Sequence, residues 1–164
     1  RRAMFFAEFY KTFLKIGKRE LESRWSGLGE EVEEMLYEAF EDVLAIRLQN
    51  IALRTLIAEL HSYKQKGNLS GETSEQEYES FCKICGSREF FGHISETYPV
   101  LIRCLKECTE KTICYYEQVM RWVIEDRESL SCLFGKEKDL GSIVKVESGL
   151  SDSHHGGKDS LDLQ

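Results

Sequence analysis

The spacing of hydrophobic positions predicts helices for most of this 164-residue chain. Apolar residues recur three or four positions apart over long stretches, which is the period of an α-helix buried along one side. The chain contains a single proline, so few positions force a helix to end. On this pattern we expect five helices, which cover approximately residues 3–25, 30–66, 75–84, 88–94 and 99–134.

Each long helix has a predicted core-facing stripe. These stripes comprise Phe6, Phe9, Phe13 and Ile16 in the first helix; Val32, Leu36, Ala39, Val43, Ile46, Leu53, Leu56, Ile57 and Leu60 in the second; and Leu101, Leu105, Cys108, Tyr115, Val119 and Trp122 in the last. The second helix exceeds the usual globular length, so we expect a bend or a break near Gln49–Asn50. Thr73 or Ser74 is a candidate N-cap for the third helix, and Pro99 suits the first turn of the last.

The character of the sequence changes after residue 135. Ser142–Glu147 contains a β-branched pair and reads as a strand, and Leu161–Leu163 alternates as a second strand does. A polar, glycine-rich segment lies between them. The pattern therefore predicts a mainly α chain, with a helical region over residues 1–135 that leads into a β-hairpin within residues 136–164.

Composition and charge narrow the class of protein. Hydrophobic residues make up 41% and charged residues 31%, which is typical of a globular domain. The net charge is −7 and no basic stripe stands out, so we expect no nucleic-acid partner. No apolar run approaches the roughly 20 residues that span a bilayer, so we expect no transmembrane segment and a cytoplasmic location. Because the sequence opens on Arg1 rather than Met, we also expect it to be an excerpt.

The six cysteines are best interpreted as reduced structural thiols. Cys82 and Cys85 form one C-x-x-C pair without a second pair, and one pair cannot complete a tetrahedral zinc site. Cys104, Cys108 and Cys114 fall in a strongly helical segment, where cysteine behaves as a small hydrophobe. We therefore predict no metal site in this chain.

The glycine-rich segment carries the candidate chemistry. Asp152 and His154 lie two residues apart, so both side chains point to one side of an extended segment, where a carboxylate orients an imidazole for proton transfer. Gly156 and Gly157 expose backbone N–H groups that suit phosphate oxygens, and Lys158 adds a positive charge. The residue types alone leave open an ordinary solvated hairpin tip. The segment matches neither the Walker pattern nor the protein-kinase glycine-rich loop.

The order of these motifs resembles the dehydratase domain of class II lanthipeptide (lantibiotic) synthetases. That family's pattern is D-L-G followed by G-x-S-D-x-H-x-G-G-[RK]. The matching residues are Asp139-Leu140-Gly141, Gly149-Leu150-Ser151-Asp152-Ser153-His154 and Gly156-Gly157-Lys158, with Arg54–Leu60, Gly67–Thr73, Tyr98–Arg103, Asp126-Arg127 and Leu133–Gly135 agreeing upstream. The similarity thus extends in order along nearly the whole chain.

The resemblance implies an ATP-dependent enzyme with a lipid-kinase-like core, preceded by a mostly helical region. Such enzymes use ATP and Mg²⁺ to phosphorylate Ser and Thr of a ribosomally made precursor peptide, and then eliminate phosphate to leave dehydroamino acids. Zinc belongs only to a separate cyclase domain, which is absent here. By the resemblance, Asp152 and His154 handle positioning or protons, and Gly156, Gly157 and Lys158 contact phosphate.

Two departures from the family pattern bear on these expectations. Lys158 stands where the family usually has Arg, so the bidentate fork of a guanidinium is lost. After Lys158 the match fades. The family's other catalytic positions lie downstream of this sequence, so we expect the segment alone to be inactive. The alternative hypothesis is a non-catalytic helical interaction module, or a truncated relic, that binds a peptide or protein partner.

Overall fold

The structure, a computed structural model, describes residues 4–24, 30–134, 146–148 and 161–163. The elements are α1 (Ala7–Arg24), α2 (Glu30–Gln65), α3 (Ser74–Cys85), α4 (Arg88–Thr97), α5 (Pro99–Phe134), β1 (Val146–Ser148) and β2 (Leu161–Leu163). The described chain is mainly helical, as the hydrophobic period predicted.

The two short strands pair in antiparallel fashion. Val146 lies opposite Leu163, and Ser148 lies opposite Leu161. The predicted strand Ser142–Glu147 shares only its last two residues with β1, and residues 142–145 lie outside the described part of the chain. The predicted strand Leu161–Leu163 coincides with β2.

The chain forms two compact units, each assembled from separate stretches. Unit 1 comprises residues 1–15 and 44–109, and unit 2 comprises residues 16–43 and 110–164. Each of the three long helices therefore contributes residues to both units.

The core of unit 1 is a cluster of aromatic rings. Phe81 and Phe90 meet edge to face with centroids 5.6 Å apart, and Phe6 meets Phe81 at 5.6 Å in the same way. Tyr63 contacts Phe81 at 5.5 Å, and Phe9 contacts Phe90 at 6.1 Å. Because edge-to-face contacts add to the free energy gained by burying apolar area, these rings tie α1, α2, α3 and α4 together.

The core of unit 2 is a smaller cluster of aromatic and aliphatic side chains. Phe40 of α2 and Tyr116 of α5 meet edge to face at 5.5 Å. Leu21, Leu36 and Met120 are also fully buried. On the surface of this unit, Arg24 binds Glu110 with a nitrogen–oxygen distance of 2.9 Å. Exposed ion pairs of this kind contribute little to stability, so the apolar cluster holds the unit.

The predicted stripes were wrong at several positions in the long helices. Ile16, Ile46, Ile57 and Trp122 are 52%, 47%, 39% and 48% exposed. In α2 the fully buried residues instead follow every fourth position, and they are Leu36, Phe40, Leu44, Leu48, Ala52 and Leu56. Each step of four residues advances about 40° beyond a full turn, so the buried positions wind around α2 by about 200° from Leu36 to Leu56, whereas the prediction assumed one constant buried side.

The predicted interruption of the second helix was also wrong, because α2 is one unbroken helix from Glu30 to Gln65. The side chain at the expected break, Gln49, accepts a hydrogen bond from the backbone N–H of Phe5 at 2.8 Å. Phe5 and Phe6 precede α1, which begins only at Ala7, and Phe6 has a φ of 56°. The expected start of the first helix near residue 3 therefore differs from the structure.

The ends of the helices follow local capping rules. Beyond the end of α2, the N–H of Gly67 bonds to the Lys64 carbonyl and the N–H of Asn68 bonds to the Tyr63 carbonyl, each at 3.0 Å. This is a Schellman motif, which requires a left-handed residue, and Gly67 has a φ of 69°. Thr73 caps α3 by accepting the N–H of Gln76 at 3.3 Å, which confirms one of the two predicted caps.

Substitution of two glycines by alanine is expected to change stability in opposite directions. Gly67→Ala forces a side chain into the left-handed region and should lower the free energy of unfolding by about 1 kcal/mol. Gly92 lies inside α4 with open space where a Cβ would stand, so Gly92→Ala should raise it by about 0.5 to 1 kcal/mol. Urea denaturation measures both. A destabilised Gly92→Ala variant contradicts the described packing of α4.

A buried hydroxyl supplies a second prediction. Tyr10 is fully buried, and its hydroxyl has no hydrogen-bond partner among the described residues. Burial raises the pKa of this phenol far above its usual range, so the group stays neutral. Tyr10→Phe removes an unpaired polar group without changing the ring, and we expect a free energy of unfolding equal to the parent or higher by about 1 kcal/mol. A loss of more than about 1 kcal/mol in thermal or urea unfolding contradicts the assignment.

Candidate functional site

The residues predicted to carry chemistry in the glycine-rich segment lie outside the described part of the chain. They are Asp152, His154, Gly156, Gly157 and Lys158. The described chain reaches this segment from both sides, through β1 and β2, which are paired with each other. The predicted roles of these five residues therefore stay predictions.

Within the described residues of unit 1, the most developed polar cluster surrounds Glu59. Glu59 lies on the buried side of α2, three residues after Leu56 and seven after Ala52, and its side chain is 9% exposed. A carboxylate in such a place costs free energy unless other groups donate hydrogen bonds to it. Its partners come from the end of α4 and from the residue between α4 and α5.

Both oxygens of Glu59 accept hydrogen bonds. The Tyr98 hydroxyl donates to Oε1 at 2.7 Å. The Nε2 atom of His93 lies 2.9 Å from Oε2, and Nδ1 of the same ring lies 3.3 Å from Oγ1 of Thr97. With a proton on Nε2, the His93 ring donates to the carboxylate and accepts at Nδ1 from the Thr97 hydroxyl. Both ring nitrogens and both carboxylate oxygens then have a hydrogen-bond partner. We name this group, Glu59, His93, Thr97 and Tyr98, the Glu59 cluster.

The pKa of each neighbouring phenol is raised. For Tyr98 the hydrogen bond to Glu59 is the main cause, and for Tyr63 it is burial, followed by the negative charge of Glu59. Phenols with a raised pKa remain protonated near neutral pH, so Tyr98 remains a donor.

The order of carboxylate, imidazole and hydroxyl resembles the groups of a nucleophilic triad, but the local structure favours a structural tie. His93 and Thr97 are four residues apart on the same face of α4, a spacing at which helical side chains ordinarily meet. Thr97 is the last residue of α4, and the following N–H, that of Tyr98, is bonded to the Ile94 carbonyl. That N–H therefore cannot stabilise an oxyanion, as acyl transfer at Thr97 requires.

The described residues hold no group of three or more His, Cys, Asp or Glu side chains that could bind a metal ion. Cys82, Cys85, Cys104, Cys108 and Cys114 are free thiols. His61 lies on α2 and is exposed.

Sequence reasoning missed the Glu59 cluster, although a signal was present. Glu59 follows Leu48, Ala52 and Leu56 on the buried side of α2, so it is a charged residue in a position where the helix period places an apolar one. Such a residue calls for a partner elsewhere in the chain. Nothing in the pattern indicates that His93 and Tyr98 supply it.

Residues 98–164 match the model of a domain of unknown function, DUF4135, which is less than half of the chain. The matched segment begins at Tyr98 and includes the whole glycine-rich segment. No curated protein matches the chain. None of the described helices contains a stretch both long and apolar enough to cross a membrane.

Substitutions in the Glu59 cluster test its structural role. Glu59→Leu leaves the Tyr98 hydroxyl and the His93 ring without their acceptor and should lower the free energy of unfolding by about 2 to 4 kcal/mol. Glu59→Gln keeps an oxygen acceptor and should cost about half as much. The matched control is Glu96→Gln, because Glu96 is exposed on the same helix as His93.

A double-mutant cycle isolates the contact between two members of this cluster. Tyr98→Phe should cost about 1 kcal/mol in the parent chain, and less when Glu59 is already Leu, because the acceptor is gone. Urea unfolding of the four proteins measures the coupling. Additive effects of the two substitutions contradict a direct hydrogen bond.

Proposed function

We propose that this chain is the N-terminal part of the dehydratase domain of a class II lanthipeptide synthetase. The observation that carries the proposal is the match of residues 98–164 to DUF4135, a family associated with lanthipeptide synthetases. That match includes Asp152, His154, Gly156, Gly157 and Lys158, the residues whose order first suggested the family. The mainly helical structure over residues 4–134 supports it, because a helical region is expected ahead of the nucleotide-binding lobe.

The proposed activity converts Ser and Thr of a precursor peptide to dehydroamino acids. Hydroxide is a poor leaving group, whereas a phosphate ester leaves readily, so transfer of a phosphoryl group from ATP makes the elimination feasible. Removal of the α-proton then needs a base, and the departing phosphate needs positive charge or N–H donors. In this proposal Asp152 orients His154, and the pair positions the phosphate or moves a proton.

The remaining predicted residues suit a phosphate. Successive N–H groups at Gly156 and Gly157 provide neutral donors at close approach, and Lys158 provides a charge. Bound ATP with Mg²⁺ supplies the phosphoryl group. Lys158 contacts a phosphate oxygen as a point charge, whereas the arginine that is usual in the family can bind two phosphate oxygens at once. We expect weaker orientation of the phosphate than arginine gives.

In this proposal β1 and β2 begin the kinase-like lobe, and the segment between them covers the phosphates. Pairing of Val146–Ser148 with Leu161–Leu163 supports a hairpin whose ends are held while its tip approaches the nucleotide. Other catalytic groups must come from residues outside these 164 positions. We therefore propose that the 164-residue segment alone does not dehydrate peptides.

A helical interaction module that binds a peptide or protein partner is the second candidate. The observation that favours it is the exposure of Ile46, Ile51 and Ile57 along α2. Exposed apolar side chains on a helix are compatible with a partner but do not select one. Dehydration by the polypeptide that carries this chain distinguishes the two candidates.

Variants of the glycine-rich segment, made in the longer polypeptide that carries this chain, test the dehydratase proposal. We expect Asp152→Ala and His154→Ala each to lower the rate of dehydration at least about tenfold, because proton transfer or phosphate positioning is lost. Mass spectrometry of a precursor peptide incubated with ATP measures the loss of one water per modified residue, and accumulated phosphopeptide reveals a block at elimination.

The matched control for these variants is His155→Ala, which removes a neighbouring imidazole at a variable position of the motif. It should retain dehydration within about threefold of the parent. Parent-like turnover in both Asp152→Ala and His154→Ala contradicts the assigned roles. Absence of both phosphorylation and dehydration in the parent polypeptide contradicts the dehydratase proposal itself.

A further inference from the structure

Two cysteines at the end of α3 differ in their exposure to solvent. Cys82 and Cys85 are three residues apart on this helix, and Cys85 is its last residue. Cys82 is partly exposed, whereas Cys85 is 2% exposed. One thiol of the pair is therefore accessible to a small reagent, and the other lies directly behind it in the core of unit 1.

Two successive hydrogen bonds connect the backbone before α1 to the accessible thiol. The backbone N–H of Phe6 donates to the Tyr78 hydroxyl at 3.3 Å, and the Tyr78 side chain in turn forms a hydrogen bond with that of Cys82. A hydroxyl that accepts an N–H becomes a better donor, and donation to sulfur favours its thiolate. The Tyr78 hydroxyl is therefore placed to donate to the Cys82 sulfur.

The two thiols also differ because Cys85 has a raised pKa. Burial and the neighbouring Cys82 raise the pKa of Cys85 to about 12, so Cys85 stays a neutral thiol at physiological pH. Because Cys85 is buried and held neutral while Cys82 is partly exposed, Cys82 is the thiol that a reagent meets first. An accessible attacking thiol and a buried resolving thiol are the two roles that a C-x-x-C redox pair needs.

The spacing brings the pair within reach of a disulfide, at a cost. Residues three apart on an α-helix have Cα atoms about 5 Å apart, which lies inside the range of disulfides. Their Cβ atoms are about 5 to 6 Å apart, whereas a disulfide needs roughly 4 Å. Closing the bond therefore requires a distortion of the last turn of α3, which is the place where a helix deforms most easily. A strained disulfide of this kind is readily reduced.

From this geometry we propose that Cys82 and Cys85 form a reversible disulfide when the chain meets hydrogen peroxide. The Cys82 thiolate attacks the peroxide O–O bond, which forms an S–O bond and releases hydroxide, and the hydroxide takes a proton to become water. The Cys85 sulfur then attacks the Cys82 sulfur. The S–S bond forms, the S–O bond breaks, and the departing hydroxide takes the Cys85 proton to leave as a second water. Two thiols are oxidised by two electrons, and one peroxide is reduced to two waters.

The sequence offers a direct test, because Lys83 lies between the two cysteines and trypsin cleaves after it. Digestion of the reduced chain gives separate peptides of residues 67–83 and 84–88. After treatment with hydrogen peroxide and alkylation of the remaining thiols, we expect these two peptides to be joined, and to separate again on treatment with dithiothreitol. Cys82→Ser and Cys85→Ser should each abolish the joined product.

The chain contains a matched internal control. Cys104 and Cys108 lie four residues apart on α5, and Lys106 between them also allows trypsin to separate them. This pair lies inside a long helix rather than in its last turn. Because the interior of a helix resists the distortion that a disulfide requires, we expect no joined product from this pair. A joined product at both pairs indicates non-selective oxidation and overturns the proposal.

The role of Tyr78 is tested by the rate of alkylation. In the parent chain Cys82 should react with iodoacetamide at least about tenfold faster than Cys85. Tyr78→Phe retains the ring that packs on Phe6 but removes the donor, so we expect the rate at Cys82 to fall about threefold or more while the rate at Cys104 is unchanged. Oxidation of Cys82 to sulfinic or sulfonic acid without a joined product, or no reaction at either thiol, overturns the proposal.

Discussion

The structure of unit 1 depends on the burial of aromatic rings from four helical segments in one cluster. Phe81 is the centre of the cluster, since it meets Phe6, Tyr63 and Phe90 at centroid distances of 5.5 to 5.6 Å. Edge-to-face contact fixes the mutual orientation of rings as well as their separation. The short helices α3 and α4 have too few residues to be stable alone, so their geometry follows from this packing. The placement of Cys85 and Tyr78 on α3 follows from it too.

The Glu59 cluster adds specificity where the aromatic cluster supplies free energy. Apolar rings tolerate small shifts, but a buried carboxylate does not, because each of its oxygens needs a donor at hydrogen-bond distance. Tyr98 and His93 meet this need only if the end of α4 lies against one particular turn of α2. The side chain of His93 is 43% exposed, which limits the energy of its hydrogen bond to Glu59, so the contribution of Tyr98 matters at least as much.

The sequence was sufficient for the existence of the five helices, for one cap and for the mainly α class, because these depend on local period and chemistry. It was insufficient to predict which side of each long helix is buried. Ile46 and Trp122 each fit an apolar stripe in the sequence, yet both are exposed. In α2 the reason is that the buried positions wind around the helix and do not keep to one side. The partners of Glu59 lie 34 and 39 residues away along the chain, so no local pattern could identify them.

The candidate chemistry of the glycine-rich segment and the described helices are connected by sequence rather than by geometry. The family model matches residues 98–164, which include α5, β1, β2 and the segment that carries Asp152 and His154. Tyr98 is the first residue of that match and is also a donor to Glu59, which lies before it. A residue of the matched segment thus completes a buried site in the part of the chain that the family does not cover. The helices that precede residue 98 therefore share a buried polar cluster with the first residue of the matched segment.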